Sequence, residues 1–500
     1  MKTAKKHLTG NHYFGIVNSI LSEMLDPRLS GKISMTSVFY LIGNFVKARE
    51  AAIESPPSVD SMISKTKTEG TKMVTISRFS YENPRFINLL KRRSSIPQEV
   101  EIIVKEVLKS VKEHGDEALY AYMKKFDQVD IEKTGLFVSE EEFARARENV
   151  SEKFKEAVKR ACDNLFRFHK RQLPVGYCET YEDGAVLERK YIPIDSVAIT
   201  VPGNMAPLAS TLYMNLVPAI VAGVPNIYIL TKPGADGSID KHLLYVADYL
   251  NVKKYYKISG SQGLAAVAYG TNSVKKVDAI TGPGNNYTQM AKKLLFGEVK
   301  IDSIAGPSEI AIIADENADP AFIAADMLSQ AEHGTGFEAS TAFCLSEEQA
   351  HKITAEINRL CNENNLINAT EKTFKNYGDI FIVDSIEEAV DAVNEIAPEH
   401  VELLLEDYQD AVNRLTNAGA VFVGAYSTEP VGDYFCGTNH ILPTCGTARF
   451  SSGMSVQEFM RGYSVIQYPE SALKNNADYI IALAEAEGMR AHALAVKVRK

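Results

Sequence analysis

Short apolar runs alternate with helical stretches from about residue 194 to residue 423, and this rhythm constrains the fold more strongly than any other feature of the chain. Strands and helices that alternate at this spacing predict parallel sheets with helices on both faces. The alternation comes in two blocks, which begin near residues 194 and 306. The sequence therefore predicts an α/β fold with two lobes.

The boundaries of the predicted elements follow from the apolar runs. The first block predicts strands at Ser196–Val201, Asn226–Leu230, Lys254–Ile258 and Lys276–Thr281, and helices near 206–222, 238–250, 262–269 and 286–296. The second block predicts strands at Glu309–Ala314, Ser340–Leu345, Ile380–Val383, Val401–Leu405 and Ala420–Val423, and helices at 319–331, 347–363, 386–396 and 407–417. Residues 97–175 carry apolar residues at three- and four-residue spacing, which predicts helices.

The N-terminal residues 1–72 differ in character from the rest of the chain. Ser55-Pro-Pro-Ser interrupts a partly helical pattern, because proline cannot continue a helix. The Ser/Thr/Lys-rich stretch from Ser58 to Lys72 is typical of a linker. We interpret 1–72 as an extension of unknown role, with Met73 as an alternative start.

The composition excludes several classes of function. Hydrophobic residues make up 45% of the chain and charged residues 24%, the balance of a globular protein. The formal net charge of −10 and the lack of a dense Lys/Arg run argue against binding to nucleic acid or an anionic membrane. No apolar run approaches the ~20 residues of a membrane span. The six cysteines contain no C-x-x-C pair, which argues against a thiolate zinc site and indicates a reducing compartment, so we expect a cytoplasmic protein.

Three glycine-rich segments follow predicted strands of the first block. Ligands bind at the carboxyl ends of the strands in such sheets, where glycine lets a phosphate approach the backbone and the next helix offers free N–H groups. None of the three is a G-x-G-x-x-G motif, and a tight turn explains any one of them alone. Together they predict a ligand crevice. The segments are Val201-Pro-Gly-Asn-Met-Ala-Pro207, Ser259-Gly-Ser-Gln-Gly263 and Thr281-Gly-Pro-Gly-Asn-Asn286.

Four histidines of the C-terminal half lie beside other polar residues that can ligate a metal. Gln330 and His333 are three residues apart and share one face of a predicted helix near its end. Mixed nitrogen and oxygen ligands suit Zn²⁺, with Mn²⁺ or Co²⁺ as alternatives. A histidine taken alone is more often a surface or hydrogen-bonded residue, and spacing does not show that these segments meet. The segments are Gln330-Ala-Glu-His333, Glu399-His400, Asp433 to His440 and Glu487 to His492.

These segments together resemble the histidinol dehydrogenase family from about Met73 to the C-terminus. No single motif is specific, but the combination and the separations between its members are. The motifs are Gly306-Pro-Ser308-Glu309, Ser329-Gln330-Ala-Glu-His333-Gly, Ala397-Pro-Glu399-His400, Gly432-Asp433-Tyr and Gly437-Thr-Asn-His440.

The resemblance implies a role for each matching residue. The implied zinc ligands are Gln330, His333, Asp433 and His492, the last of them from the second subunit of a homodimer with a composite active site. Glu399 and His400 are implied as the catalytic acid–base pair. NAD is implied near Thr200, Gln262 and Asn285. The implied substrate contacts are Ser308, Gln330, His333, His400, Asp433, His440, Glu487 and His492.

The resemblance also implies the reaction, in which L-histidinol is oxidised through L-histidinaldehyde to L-histidine with two NAD consumed in sequence. The first glycine-rich loop departs from the family, which commonly has Tyr two residues before its Pro and Pro-Gly-Gly there. This chain has Thr200 and Pro202-Gly203-Asn204. The departure keeps two alternatives open, a related zinc- and NAD-dependent dehydrogenase of another small polar alcohol, and a catalytically silent metal-binding protein. A dimerising scaffold that recruits partners through 1–72 is a third idea.

Pattern and resemblance together predict an α/β fold of two incomplete Rossmann-like, doubly wound lobes with helical N- and C-terminal segments. The predicted division is a 1–72 extension, a helical segment 73–193 that joins the second lobe, an NAD-binding lobe 194–305, a metal and substrate lobe 306–455, and a dimerisation tail 456–500.

Overall fold

Two parallel sheets organise the computed structural model, which describes residues 73–92, 96–203 and 207–500. The predicted extension over 1–72 and Asn204 of the first glycine-rich loop lie outside the described residues. The strands are β1 (Thr75–Arg78), β2 (Tyr177–Thr180), β3 (Val186–Pro193), β4 (Ser196–Val201), β5 (Asn226–Thr231), β6 (Tyr255–Tyr256), β7 (Ala279–Thr281), β8 (Lys300–Ile301), β9 (Glu309–Ala314), β10 (Ala339–Cys344), β11 (Gly378–Ile382), β12 (His400–Leu404), β13 (Ala420–Val423) and β14 (Met460–Gln467).

Helices connect most of these strands. They are α1 (Pro84–Leu90), α2 (Gln98–His114), α3 (Asp116–Tyr122), α4 (Ile131–Thr134), α5 (Glu140–Asn149), α6 (Glu152–His169), α7 (Ala209–Ala222), α8 (Lys241–Tyr249), α9 (Gly260–Tyr269), α10 (Asn286–Leu295), α11 (Pro320–Ala331), α12 (Glu347–Asn364), α13 (Ile367–Tyr377), α14 (Ile386–Ile396), α15 (Gln409–Arg414), α16 (Glu429–Tyr434), α17 (Glu470–Ala486) and α18 (Arg490–Lys497). Among the described residues, no helix is long and apolar enough to cross a membrane.

The first lobe is a five-stranded parallel sheet in the order β6-β5-β4-β7-β8. Every residue of β4 is buried, because helices cover both faces of the sheet. Side chains of Val197 and Ile199 pack with α7 and α8 on one face, whereas Ala198 packs with α2, α9 and α10 on the other. The chain winds outward in both directions from β4, so the topological switch point lies between β4 and β7.

The second lobe is a six-stranded parallel sheet in the order β1-β11-β10-β9-β12-β13. Its last five strands repeat the order of the first lobe, with β9 in the place of β4. Ile310 and Ile312 of β9 pack with α11 and α12, and Ala311 and Ile313 pack with α14 on the opposite face. The predicted α/β fold with two doubly wound lobes is confirmed.

The N-terminal segment is divided between the two sheets. The strand β1 pairs with β11, and α1 packs on the same sheet. Helices α2 to α6 contribute instead to the two cores of the five-stranded sheet. The exact boundaries of the predicted five-part division remain a prediction.

A small antiparallel sheet, β14-β3-β2, was not predicted from the sequence. It pairs residues 186–193 with 460–467, far apart in the chain. All four residues of β2 are exposed, as are most of those of β14. Strands without a buried face leave no apolar alternation to detect.

Candidate active site

A cavity of about 260 Å³ lies between the two lobes. The first lobe contributes Ser210 at the start of α7, Gly282 and Pro283 after β7, and Asp302 after β8, all at the carboxyl end of its sheet. The second lobe contributes most of the polar lining, which is Ser308, His333, Glu399, His400, Glu429, Asp433 and His440. The cavity therefore joins the switch point of one sheet to a cluster of titratable groups on the other.

The second lobe faces the cavity with the amino ends of its strands. Ser308 immediately precedes β9, and Glu399 and His400 stand at the start of β12. Gln330 belongs to the last turn of α11, a helix that runs back toward the amino end of the sheet before β10 begins. The expectation that ligands bind at the carboxyl ends of the strands therefore describes the first lobe and not the second.

The imidazole of His400 is buried and has a defined orientation. Its Nδ1 lies 3.2 Å from the carbonyl oxygen of Glu309 and 3.4 Å from Oε1 of Glu429. Both neighbours are oxygens, so Nδ1 carries the hydrogen and Nε2 is left as an acceptor. The Nε2 atom has no hydrogen-bond partner among the described residues, and it lies 3.7 Å from Oδ1 of Asp433. Burial lowers the pKa of His400 to about 3, so the ring is neutral at neutral pH.

Glu399 is a buried carboxyl group beside this imidazole. Its Oε2 accepts a hydrogen bond of 3.2 Å from the Glu309 N–H and lies 4.0 Å from His400 Nδ1. Burial raises the pKa of Glu399 well above its usual value, and the nearby carboxylates of Glu309 and Glu429 raise it further. A carboxyl group with this pKa can exchange a proton with a substrate in the cavity.

Five side chains in this part of the second lobe have the chemistry of metal ligands. Gln330 is fully buried, yet both atoms of its side-chain amide lack hydrogen-bond partners in the described structure. His333 Nδ1 lies 3.2 Å from the Gln330 carbonyl oxygen, which makes Nδ1 the donor and frees Nε2. Burial raises the pKa of Asp433 to about 6, and His333 opposes that rise. Ligand atoms of His400, Glu429 and Asp433 lie within 4.8 Å of one another.

Two predicted site residues lie away from this cavity. Glu487 is the C-cap of α17 and His492 lies on α18, and both are exposed in the single chain. They are not among the residues that line the cavity.

The three predicted cofactor-binding residues lie within β4 or in the segments that follow β6 and β7, and their side chains are buried or have partners inside the protein. Thr200 is buried within β4. Gln262 Nε2 donates to Oδ2 of Asp127 at 2.8 Å. Asn285 caps α10, since its Oδ1 accepts from the N–H groups of Tyr287 and Thr288, each at 3.1 Å. None of the three lines the cavity.

Glu429 is the site residue that the sequence reasoning missed. It is 2% exposed, its Oε2 accepts from Ser329 Oγ at 3.2 Å, and its Oε1 faces His400. Burial raises its pKa well above the usual value. A signal was present, because Glu429 stands four residues before Asp433 and shares a helix face with it.

Comparison with known proteins gives a family that agrees with this site. A sequence model of histidinol dehydrogenase matches residues 90–500. The histidinol dehydrogenase of Halalkalibacterium halodurans is 44% identical over 399 residues, which cover 79% of this chain and 93% of the relative. That of Bacillus subtilis is 40% identical over 399 residues, with 79% and 92% covered.

A solved structure agrees with the sequence comparisons. The crystal structure of histidinol dehydrogenase from Elizabethkingia anophelis superimposes with a TM-score of 0.81 at 34% identity, covering 86% of this chain and 98% of that one. The resemblance found in the sequence motifs is therefore confirmed over most of the chain. This chain belongs to the histidinol dehydrogenase family.

Proposed function

We propose that the protein is an NAD-dependent, zinc-containing histidinol dehydrogenase of histidine biosynthesis, which oxidises L-histidinol through L-histidinaldehyde to L-histidine. The observation that carries this proposal is the neutral imidazole of His400, whose unpartnered Nε2 adjoins the cavity beside Glu399. Loss of a hydride from an alcohol carbon requires loss of the hydroxyl proton, and a neutral imidazole can accept that proton.

Zinc fits the groups that the second lobe supplies. Gln330 brings a buried amide without a hydrogen-bond partner among the described residues, His333 brings an Nε2 left as an acceptor by its Nδ1–H, and Asp433 brings a carboxylate. The fourth ligand is His492 of a second copy of the chain. When bound, zinc would hold the amine and the imidazole of the substrate and so orient the alcohol carbon.

NAD fits the switch point of the first lobe, which opens into the same cavity. Glycine residues after β4 and β7 keep side chains away from this edge, and the N-terminus of α10, the positive end of the helix dipole, follows β7. Thr200, Gln262 and Asn285 flank this edge as proposed cofactor-binding residues. The bound nucleotide supplies the hydride acceptor, one molecule for each of the two oxidations.

The residues of the chain divide the proton transfers between them. In the first oxidation, His400 Nε2 takes the hydroxyl proton as the hydride leaves the alcohol carbon. Water must add to the resulting aldehyde before a second hydride can leave. Glu399, in its ionised form, accepts a proton from that water while His400 gives its own proton to the aldehyde oxygen. The neutral His400 then takes the hydroxyl proton of the hydrate as the second hydride leaves. We assign Ser308, His440 and Glu487 to contacts with the substrate.

A homodimer completes this site. Glu487 and His492 are exposed on the C-terminal helices and do not line the cavity of their own chain, which supports their reaching the cavity of a second copy. The same region exposes large apolar side chains, including Ile466 at 69%, Tyr479 at 72% and Leu483 at 69%. Exposed apolar surface of this kind marks a protein interface. We also propose a cytoplasmic location, because the six cysteines are scattered and contain no C-x-x-C pair.

The number of NADH formed per L-histidinol consumed tests the proposal. We expect two, and we expect a chelator to abolish the reaction and added Zn²⁺ to restore it. Other small amino alcohols serve as the matched substrates. Turnover of one of these and not of L-histidinol would favour the related dehydrogenase, whereas binding of zinc and NADH without any turnover would favour the silent metal-binding protein.

A further inference from the structure

Lys292 is a fully buried lysine on α10 that holds the loop after β7. Its Nζ donates a hydrogen bond of 2.9 Å to the carbonyl oxygen of Gly282 and forms an ion pair with the Asp302 carboxylate. Oδ2 of Asp302 accepts a hydrogen bond of 2.8 Å from the N–H of the same glycine. The backbone N–H and the carbonyl oxygen of Gly282 therefore both bind the same Lys292–Asp302 ion pair.

Gly282 is a position where the loop needs this support. Its φ of +106° is rare for any residue with a side chain, and a Cβ there would lie 2.1 Å from the carbonyl oxygen of Thr200. The loop is thus pressed against the end of β4, at the switch point of the sheet. The free energy that keeps the loop there must come from groups outside it, and Lys292 and Asp302 are the charged groups that contact it.

Gln289, one turn before Lys292 on the same helix face, extends these contacts. Its Nε2 donates to the carbonyl oxygen of Gly284 at 3.3 Å, and its Oε1 accepts from the N–H of Ala305 at 3.0 Å. Gly282 and Ala305 both line the cavity, and the chain after Ala305 leads to Ser308. The side chains of α10 therefore tie the loop 282–284 to the segment 302–305.

We propose that Lys292, Asp302 and Gln289, here named the α10 brace, are positioning residues for the nicotinamide nucleotide. This inference rests on the proposed function. Burying a lysine and an aspartate removes both charges from water, a cost that a pair of apolar residues would avoid. The brace keeps these charges where they fix the loop that borders the nucleotide and the segment that leads to the substrate. Lys292 and Gln289 do not line the cavity, whereas Asp302 does.

Binding of NADH without histidinol tests the brace apart from turnover. We would titrate zinc-loaded protein with NADH by fluorescence, comparing the wild type with Lys292→Met and with Lys292→Met/Asp302→Asn, which leaves no unpaired buried charge. Loss of a hydrogen bond from a charged group should raise the NADH dissociation constant about tenfold. The zinc content should stay unchanged.

Asp248→Asn is the matched control, because Asp248 is a shielded carboxylate of the same lobe that pairs with Arg147 at 2.7 Å, outside the cavity. Its NADH dissociation constant should equal that of the wild type. If the folded brace variants also bind NADH like the wild type, the brace has only a structural role. The inference is then wrong, but the proposed cofactor is not affected. If the wild type itself does not bind NADH, both the proposed cofactor and the inference are wrong.

Discussion

His400 and Glu399 are adjacent in sequence, yet burial moves their pKa values in opposite directions. It lowers the pKa of the imidazole and raises that of the carboxyl group, because in each case it disfavours the charged form. A neutral imidazole and a protonatable carboxyl group thus stand side by side at the start of one strand. This pairing gives the site two groups with different tasks, which suits two successive oxidations.

The variant Glu399→Gln should separate these two oxidations. Gln can occupy the same volume and accept from the Glu309 N–H, but it cannot take a proton from water. We expect NADH formation from L-histidinaldehyde to slow by roughly 10²- to 10⁴-fold, the usual contribution of a general base. NADH formation from L-histidinol in the first oxidation should fall much less.

Single-turnover measurements with each substrate check this prediction. Glu395→Gln provides the control, since Glu395 is a half-exposed carboxylate near the end of α14 that does not line the cavity. Equal slowing of both oxidations by Glu399→Gln would assign Glu399 to the first proton transfer as well.

The sequence predicted much of the site, but for two different reasons. The three-residue spacing of Gln330 and His333 already indicated a joint role, although α11 ends at Ala331 and His333 lies just beyond it. The convergence of Glu399, Asp433 and His440 came only from the resemblance, because these residues are far apart in the chain. Glu429 was not predicted as a site residue, because a glutamate in a short helix is usually solvated and the burial of this one depends on tertiary packing.

At the scale of elements, the short helix α16 depends on a buried carboxyl group of β12. Glu402 Oε1 accepts a hydrogen bond of 2.7 Å from the N–H of Glu429, the first residue of the helix. Burial raises the pKa of Glu402, and the neighbouring Asp326 raises it further. Glu402 therefore stays protonated in the folded protein at a pH where it is ionised in the unfolded chain.

The variant Glu402→Gln should gain stability relative to the wild type as the pH rises. The folded wild type binds a proton that the unfolded chain releases above about pH 4.5, so its unfolding free energy falls with increasing pH. Gln mimics the protonated form and so removes this pH dependence. The difference in unfolding free energy between the variant and the wild type should therefore grow by at most about 1.4 kcal/mol per pH unit. Urea unfolding of both proteins from about pH 5 to about pH 9 measures the difference.

Glu338→Gln is a control with the opposite sign. Burial raises the pKa of Glu338, but hydrogen bonds from Thr335, Thr373 and the Gly336 N–H outweigh it and lower the pKa overall. The ionised form therefore stabilises the fold above about pH 4.5, and that stabilisation is lost at more acid pH. We expect Glu338→Gln to be less stable than the wild type by a constant amount over the same range. A flat difference for Glu402→Gln would contradict the assigned protonation state.

Prediction of the elements was accurate where burial is complete. Strands β4 and β9 match their predicted ranges, because six consecutive buried positions leave a run of mostly apolar residues. The short strand β8 and the helix α13 were not predicted, and the strand predicted at Lys254–Ile258 is reduced to the two residues of β6. Short edge strands carry too few residues for a period to be visible.

At the scale of the whole molecule, the proposed composite site can be tested by mixing subunits. His492→Ala and His333→Ala would each remove one proposed zinc ligand from every site of the proposed homodimer. A heterodimer of the two variants contains one site with both substitutions and one site with neither. We therefore expect mixed dimers to recover about half of the wild-type activity by this count of intact sites.

Differently tagged subunits, mixed and then purified by both tags, provide the measurement. Two copies of His333→Ala with different tags form the control, because no pairing of them restores a complete ligand set. An inactive mixed dimer of proven composition would mean that His492 acts within its own subunit or outside the site.

Five strands of each sheet have the same order, but opposite edges of the two sheets face the cavity. The first sheet faces it with the carboxyl ends of its strands, and the second faces it with the amino ends. The turns at the carboxyl edge of the second sheet, such as 315–319, 345–346 and 405–408, contribute no residue to the cavity. Connections in that position tolerate inserted sequence when no function depends on them. This rim is accordingly where a reporter domain or an affinity tag could be grafted while the chemistry at the far edge continues unaltered.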